Sequence, residues 1–422
     1  MEPSQSEVVA HRATRSTVFT RLLFIGAVVA LLPKILALFI LRKLLGPRSD
    51  VPGDLQRSIV RGATTLPLRL LHGRRPPFDV ESVLAAPRFR NYDRQLCTKV
   101  STGLGSAYWV CKGRPRGSSQ PPRTQHPDPR ESDLVLFYLH GGAYVYGEPL
   151  GSTLLLLRAA EIAAARGVNV SIFTVGYTLA PTGTFPLQQR QAVAAYRYLL
   201  DVEHVSPDKI VVSGESAGAH LALTCLMGIA QAKLPTPAAS LLLFPWISLT
   251  NSSPSFERNK YKDVLTKSLL DRCAAEVLGK DAGAGAGAGM DSNIYEGVNW
   301  DQLELVDLTR QPTKGKGPRP LAWNQILPSF TWINVGEHDM FFDDIQTFIR
   351  QAEADGARVQ LDMTQKKPHG WHSGDRSKAN EFVQMDPDEA VPEGMLPGCD
   401  NVGQALLRVW DEAVSKSSRA RP

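Results

Sequence analysis

One short stretch of the sequence, residues 211–222, restricts the possible folds more than any other. It reads as a buried strand over 209–213 that runs into a turn pinched by Gly214 and Gly218, followed by an Ala/Leu-rich helix. A side chain at either glycine would collide with the neighbouring strand or helix where the turn is tightest. Gly-x-Ser-x-Gly in that context pushes the hydroxyl of Ser216 out of the fold at a helix N-terminus, where backbone N–H groups favour negative charge.

The pentapeptide alone also arises by chance in loops rich in glycine and serine. Its interpretation as a reactive serine therefore depends on the rest of the chain. A base, an acid and donors for an oxyanion must follow or precede it in a suitable order.

The remainder of the chain predicts an α/β fold. Apolar runs without polar alternation predict buried strands, and they alternate with helical patterns. The predicted strands cover 134–139, 168–175, 209–213, 239–247, 331–335 and 359–363, and the predicted helices cover 153–165, 187–200, 344–355 and 402–414. This alternation is typical of a mostly parallel sheet with helices on both faces. At 422 residues and 43% hydrophobic content, the chain can bury a core of that size.

Two regions interrupt this pattern. Residues 250–327 hold a helical pattern over 263–278, a Gly-Ala repeat and a Pro/Gly/Lys-rich run. An insertion between two sheet strands is a usual position for a cap over a substrate pocket, although a surface insertion without a role is the alternative. We assign residues 51–422 to one catalytic domain, with further cap elements over about 51–95.

Residues 1–50 are predicted to be an N-terminal tail and a membrane anchor. The segment 22–41 is apolar except for Pro33 and Lys34, and twenty residues of helix span about 30 Å, the thickness of the hydrocarbon core. A cleavable signal peptide would have a shorter apolar core and a small-residue cleavage site, and a kinked helix lying in one leaflet is a third possibility. Basic residues flank both sides, so the orientation of a single-pass helix is not predicted.

Charge and cysteine content exclude several kinds of partner. The net charge is +5, and no run of Lys and Arg is interleaved with aromatic residues, so no nucleic-acid partner is expected. The five cysteines form no C-x-x-C pair, and neither a metal nor a cofactor is predicted. Cys97 and Cys111 could face each other across a predicted hairpin, but buried thiols are the favoured interpretation. The oligomeric state is not predicted.

Candidates for the acid and the base follow two later strands. Asp339 lies after the strand 331–335, and His369 lies after the last strand. The chain order Ser, Asp, His with each residue after a strand is that of α/β-hydrolases. A serine needs a base within hydrogen-bond reach, and the base needs a group that fixes its tautomer. His372 is the alternative base, and His369 is preferred because it lies nearer the strand end.

The sequence His140-Gly-Gly-Ala-Tyr144 directly follows the strand 134–139. Glycines at that point let the backbone approach a substrate closely, and Ala143 still offers an N–H. We therefore predict that the backbone N–H groups of Gly142, Ala143 and Ala217 form an oxyanion hole.

Together these motifs resemble the hormone-sensitive-lipase-like branch of the α/β-hydrolase superfamily, which contains arylacetamide deacetylases and fungal steryl acetyl hydrolases. The matching blocks are His140-Gly-Gly-Ala-Tyr, Gly176-Tyr-Thr-Leu-Ala-Pro with Phe185-Pro186, Asp208-Lys-Ile leading into Gly214-Glu-Ser-Ala-Gly, Gly336-Glu-His-Asp with Asp343-Asp344, and His369-Gly-Trp. The resemblance implies the same roles for Ser216, Asp339 and His369. Two positions depart from the family pattern: Ala143 replaces a third glycine and narrows the acyl side of the pocket, and Trp371 replaces a usual Phe.

The resemblance implies a membrane-bound enzyme facing the lumen of the endoplasmic reticulum. The sequons at Asn251 and Asn169 permit N-glycosylation there, and Asn169 is the weaker candidate because it borders a predicted buried strand.

The predicted function is a membrane-anchored serine carboxylester hydrolase that removes short acyl groups, acetyl first, from small lipophilic alcohols such as sterols or terpenoids. One alternative is a pathway-specific hydrolase that acts on a single acylated secondary metabolite. The other is a non-catalytic binding protein on a hydrolase scaffold.

Overall fold

The computed structural model describes residues 33, 80–89, 95–112, 129–279, 305–309, 321–372 and 376–414, and its central element is an eight-stranded sheet. The strands are β1 (Gln95–Ser101), β2 (Ser106–Lys112), β3 (Leu134–Leu139), β4 (Val170–Gly176), β5 (Ile210–Glu215), β6 (Ala239–Leu243), β7 (Thr331–Gly336) and β8 (Val359–Thr364). Their spatial order is β1-β2-β4-β3-β5-β6-β7-β8. Only β2 runs against its neighbours, and the pairs from β4 to β8 are parallel. The predicted α/β class with a mostly parallel sheet is confirmed.

The described helices are α1 (Val80–Ala85), α2 (Thr153–Ala164), α3 (Leu187–Asp201), α4 (Ala217–Gln231), α5 (Pro254–Arg258), α6 (Lys267–Val277), α7 (Trp323–Ile326), α8 (Phe342–Ala354), α9 (Arg376–Gln384) and α10 (Pro397–Val409). A π-helical turn, Trp410–Val414, continues α10. The strand predicted over 134–139 is observed with the same bounds as β3. The strand predicted over 239–247 is shorter in the structure, because β6 ends at Leu243. The predicted helix over 263–278 begins at Lys267, where the side chain of Thr266 caps its N-terminus by accepting the N–H of Leu269.

Two apolar layers cover the sheet, one on each face. Along β3 the side chains alternate, because successive residues of a strand point to opposite faces. Val135, Phe137 and Leu139 pack with residues of α3, α4 and α8. Leu134, Leu136 and Tyr138 pack with residues of α2, α9 and α10. Every β3 side chain is therefore buried, which explains the uninterrupted apolar run.

The parallel strands bring their carboxyl ends to one edge of the sheet. The loops after β3, β5, β7 and β8 carry the predicted site residues, so the topology gathers them at that edge. The insertion between β6 and β7 contributes α5 and α6 next to it. Residues 80–89 do not lie at this edge. Phe89 contacts the ring of Phe382 in α9 and belongs to the apolar layer formed with α2, α9 and α10.

The predicted anchor, 22–41, lies outside the described residues apart from Pro33. Within the described ranges no helix combines the length and the apolar character needed to cross a bilayer. The β1–β2 hairpin is formed as expected, but its register pairs Cys97 with Val110 and Cys111 with Leu96. In this register Cys97 and Cys111 are therefore not directly opposite each other.

Candidate active site

Ser216 lies at the end of β5, on a turn with strained backbone angles. Its φ is 55° and its ψ is −120°, a conformation that L-residues with side chains seldom adopt. A Cβ added to Gly214 would come within 3.0 Å of the carbonyl of Gly218, and one added to Gly218 within 3.0 Å of the carbonyls of Leu139 and His140. The steric reason predicted for both glycines is confirmed. The turn holds the serine hydroxyl away from the strand, at the N-terminus of α4.

Three predicted side chains form one hydrogen-bonded chain. His369 Nε2 lies 2.9 Å from Ser216 Oγ, and His369 Nδ1 lies 2.9 Å from Asp339 Oδ2. A carboxylate only accepts, so Nδ1–H donates to Asp339 and Nε2 is left to accept the serine proton. Asp339 is completely buried, and its other oxygen accepts the N–H of Phe341. This geometry allows proton transfer from the serine to the imidazole.

The surroundings of His369 favour its protonated form. Burial lowers the pKa of the imidazole, but the charge of Asp339 and the hydrogen bond to it raise that pKa, with a smaller contribution from Asp263, and the net shift is upward. The rings of Phe244 and Phe341 contact the imidazole edge-on, with centroids 4.8 and 4.9 Å away. These rings restrict its orientation to the line between Ser216 and Asp339.

His372, the alternative base, is placed differently. Its ring contacts Phe244, with the centroids 5.4 Å apart, and its Nε2 is 3.2 Å from Asn401 Oδ1. Burial lowers its pKa to about 4. The structure therefore brings His369, and not His372, to the serine.

Two of the three predicted oxyanion donors line a pocket beside Ser216, and the third directly follows Ser216 in the chain. Gly142 and Ala143 line it together with Ser216 and His369, and Ala217 is the first residue of α4. Gly142 has φ 118° and its carbonyl accepts the N–H groups of Val145 and Tyr146, so the loop after β3 is a closed turn. Ala143 has φ 51°, a left-handed conformation that costs a residue with a Cβ about 1 kcal/mol.

Glu215 connects this loop to the turn that carries Ser216, a role that was not predicted from the sequence. Its Oε1 accepts the hydroxyl of Ser152 at 2.8 Å and, over a long 3.4 Å, the N–H of Gly141. The carboxylate holds the loop after β3 against the turn that carries Ser216. The sequence does contain a signal for this role. Glu215 occupies the position between Gly214 and Ser216, and a charged residue in such a tight turn needs a polar partner.

The insertion between β6 and β7 supplies two further polar residues that the sequence analysis did not single out. Asn259 Nδ2 donates to the carbonyls of Glu337 and Asp339. Asp263 accepts the backbone N–H of His369 and that of Met340. Both contacts join residues far apart in the sequence, so no local motif could reveal them.

The pocket beside Ser216 is small and partly apolar, with a volume of about 130 Å³. Leu265, Leu269 and Leu270 of the insertion line one side, and the loop after β3 lines the other. Ser216, the loop that carries Gly142 and Ala143, and an apolar wall thus surround the same space. Across the described residues, no cluster of His, Cys, Asp and Glu side chains is arranged to hold a metal ion.

The structure reverses the predicted preference between the two N-glycosylation sequons. Asn251, the favoured one, is wholly buried: its Oδ1 accepts the indole N–H of Trp246, and its Nδ2 donates to Asp271. A glycan cannot occupy that nitrogen in the folded protein, so the prediction for Asn251 is wrong. Asn169 precedes β4 and its side chain is exposed.

The comparison with known proteins agrees with this architecture. A family model described as the alpha/beta hydrolase fold matches residues 136–288. An acetyl-hydrolase from Streptomyces hygroscopicus is 28% identical over 58% of this chain and 70% of its own length. The bovine arylacetamide deacetylase is 25% identical over 56% of this chain and 67% of its own length.

A solved structure has the same fold. An esterase from the bacterial hormone-sensitive lipase family superposes with a TM-score of 0.52, covers 89% of this chain and 97% of its own, and is 23% identical. At that identity the likeness concerns the fold alone.

Fold and site together define a serine ester hydrolase with an α/β-hydrolase fold. Within that class the chain is similar to relatives named acetyl-hydrolase, arylacetamide deacetylase and hormone-sensitive lipase.

Proposed function

We propose that the protein hydrolyses short-chain esters, acetyl esters first, of small lipophilic alcohols such as sterols or terpenoids, through a Ser216–His369–Asp339 triad. The observation that carries the proposal is the continuous hydrogen-bonded line from Ser216 Oγ through both nitrogens of His369 to Asp339 Oδ2, at 2.9 Å for each step. The partly apolar pocket lined by Ser216 and His369 also supports the proposal.

The proposed reaction has two steps. Ser216 Oγ attacks the ester carbonyl while its proton passes to His369 Nε2, and Asp339 stabilises the imidazolium. The N–H groups of Gly142, Ala143 and Ala217 would stabilise the oxyanion. The alcohol leaves with the proton from Nε2. Water, deprotonated by the same nitrogen, then releases the carboxylic acid and restores the serine.

Two observations support a short acyl group. The pocket beside Ser216 encloses only about 130 Å³, and Leu265, Leu269 and Leu270 close one side of it. A bulky acyl chain would have to displace these side chains, and overpacking typically costs roughly 1–3 kcal/mol. The relatives named acetyl-hydrolase and arylacetamide deacetylase agree with an acetyl preference.

The test is a comparison of substrates with the nucleophile variant as control. The purified protein is given p-nitrophenyl acetate, butyrate and octanoate, and then acetylated sterols, terpenoids and polar acetates, with products identified by mass spectrometry. We expect kcat/KM to fall with acyl length, the lipophilic acetates to react faster than the polar ones, and Ser216→Ala to be inactive. Turnover of a single acylated metabolite and of nothing else would favour a pathway-specific enzyme. Absence of any burst with activated esters would favour a binding protein.

We also propose that the segment 22–41 anchors the enzyme in the membrane of the endoplasmic reticulum as a single-pass helix. Its support is the length and apolar character of that segment in the sequence. The full chain should stay in the membrane pellet after extraction with alkaline carbonate. Release into the supernatant would contradict an anchor, and protease protection would show which side of the membrane carries the catalytic domain.

A further inference from the structure

Asp263 is a buried carboxylate in the loop between α5 and α6, next to the proposed triad. Its side chain has no exposed surface. Its two oxygens accept four backbone N–H groups. Oδ1 accepts those of Val264 at 2.5 Å, Leu265 at 3.3 Å and His369 at 3.1 Å, and Oδ2 accepts that of Met340 at 2.6 Å.

These contacts join three separate loops at one point. Met340 directly follows Asp339, and His369 is the proposed base, so one carboxylate holds the backbone of both loops. The loops lie 77 and 106 residues from Asp263 in the chain. Asn259 of the same insertion strengthens the junction by donating to the carbonyl of Asp339 at 2.9 Å. The insertion therefore does more than cover the pocket. Its residues Asn259 and Asp263 hold the loops that carry Asp339 and His369 in their relative positions.

We propose that Asp263 is a positioning residue of this enzyme: it fixes the backbone of His369 and Met340, and it places a second negative charge near the imidazole that stabilises the imidazolium formed during catalysis. This inference rests on the proposed function. Asp263 does not touch the reacting atoms, and it acts through His369 and Asp339.

The charges around the imidazole are consistent with this role. The negative charges that raise the pKa of His369 are those of Asp339, Asp263 and Glu215. The other histidine nearby is His372, whose own pKa burial lowers to about 4. Burial and the charge of Asp339 raise the pKa of Asp263, whereas the charge of His369 and the hydrogen bonds from backbone N–H groups lower it. A carboxylate that only accepts is the form that satisfies four N–H groups without a clash.

Substitution by asparagine separates the charge from the shape. In Asp263→Asn the amide keeps one acceptor oxygen but turns an NH₂ group toward backbone donors, so the loops lose part of their support. We expect kcat to fall by about 10²-fold because a small misplacement of the base is costly, with KM changed by less than about threefold. Removal of the negative charge lowers the pKa of His369. The base then stays neutral to lower pH, and the acid limb of the kcat/KM profile moves to lower pH.

The matched control is Asp343→Asn. It is the same substitution at a carboxylate that pairs with Arg258 at the surface. This variant should leave kcat and the acid limb at the wild-type values. Both variants are assayed with p-nitrophenyl acetate from pH 5 to pH 9. Asp263→Ser, whose hydroxyl can keep the local turn to Leu265, is the second variant in case Asp263→Asn does not fold.

The outcomes separate this inference from the proposed function. Wild-type protein without esterase activity or fluorophosphonate labelling would reject the proposed function itself. An active wild type together with unchanged kcat in Asp263→Asn or Asp263→Ser would reject only the role of Asp263. A lower kcat with an acid limb that does not move would also overturn the proposal, since a purely structural residue would behave in that way.

Discussion

The two sides of the site are built by different means. On the side of the proposed nucleophile, Ser216 depends on one continuous strand, turn and helix, and its position follows from steric limits at Gly214 and Gly218. On the side of the proposed acid and base, Asp339 and His369 lie on two loops that a third segment holds through Asp263 and Asn259. The first side is defined by local backbone geometry, and the second by hydrogen bonds between distant parts of the chain.

This difference predicts how substitutions act. A change of the serine side chain should remove chemistry and leave the fold intact, because the turn does not depend on the hydroxyl. A change on the acid and base side should affect chemistry and stability together, because the same buried groups hold the loops in place. The following predictions test that contrast, from the largest effect to the smallest.

Ser216→Ala should lower kcat by roughly 10⁵-fold or more, since it removes the nucleophile itself. The Tm should stay close to that of the wild type. Steady-state assays with p-nitrophenyl acetate, fluorophosphonate labelling and thermal unfolding measure these quantities. Equal labelling of the variant would show that Ser216 is not the nucleophile, and a large fall in Tm would break the contrast.

Asp339→Asn should lower kcat by about 10⁴-fold, because the amide does not hold His369 in the tautomer that leaves Nε2 free to accept. Unlike the serine variant, it should also lower the Tm, since the completely buried Asp339 accepts the N–H of Phe341 as well. The same assays are used for both variants. A loss of activity of less than about tenfold would mean that another carboxylate serves as the acid.

The pH profile should show an acid limb above pH 6.5. His369 must be neutral to act as a base, and Asp339 and its hydrogen bond raise the pKa of this buried imidazole above the ordinary value of 6.5. Below that limb kcat/KM should fall about tenfold per pH unit. An acid limb below pH 6.5 would mean that burial lowers the pKa of His369 by more than Asp339 raises it. The interaction between His369 and Asp339 would then be weaker than their contact indicates.

Ala143→Gly should broaden the acyl specificity. Ala143 lines the pocket with φ 51°, so glycine relieves the left-handed backbone and removes the methyl group beside the acyl position. The ratio of kcat/KM for p-nitrophenyl butyrate to that for the acetate should rise roughly tenfold, the usual value of one methylene in a tight pocket. An unchanged ratio would place the limit on acyl size in the leucines of α6 and its preceding loop.

Asp344→Asn should stabilise the protein at alkaline pH. Asp344 is 7% exposed, and among the described residues its Oδ2 has no hydrogen-bond partner. Burial raises its pKa from 3.8 to about 7, opposed by the hydroxyl of Ser253, while nearby carboxylates add to the rise. Because the folded-state pKa is above the unfolded one, ionisation costs stability as the pH rises from about 4 to 7.

The expected gain is therefore about 1–2 kcal/mol at pH 8, and it should shrink toward zero near pH 4. Urea unfolding at both pH values measures it. A gain of the same size at pH 4 would show that the effect has another origin than charge.

Local sequence patterns predicted much of the sheet and the three principal side chains. The apolar run of β3 gave the observed bounds because a strand buried on both faces needs no polar positions. Boundaries that depend on tertiary contacts were less accurate: the apolar run after Leu243 leaves the sheet, and Trp246 turns to bond the buried Asn251. The sequon at Asn251 was misjudged for that reason, since a local sequence does not reveal burial.

The positioning residues were not predictable in the same way. Glu215, Asn259 and Asp263 are ordinary polar residues in the sequence, and their importance comes from partners up to 106 residues away. The choice between His369 and His372 was made from distance to a strand end. The structure gives the physical difference, because the Nε2 of His372 lies against Asn401, whereas the Nε2 of His369 lies against Ser216.

The sequence by itself determined the class of fold, the strained turn at Ser216 and the order of serine, acid and histidine, since each of these depends on periodicity, glycine sterics or position after a strand. Only the tertiary structure decided which histidine meets the serine, which asparagine is exposed, and that Asp263 supports the two remaining members of the site. The reason is that strand and turn geometry acts between neighbours in the chain, whereas burial and the hydrogen bonds of a buried carboxylate depend on segments that meet only when the chain is folded.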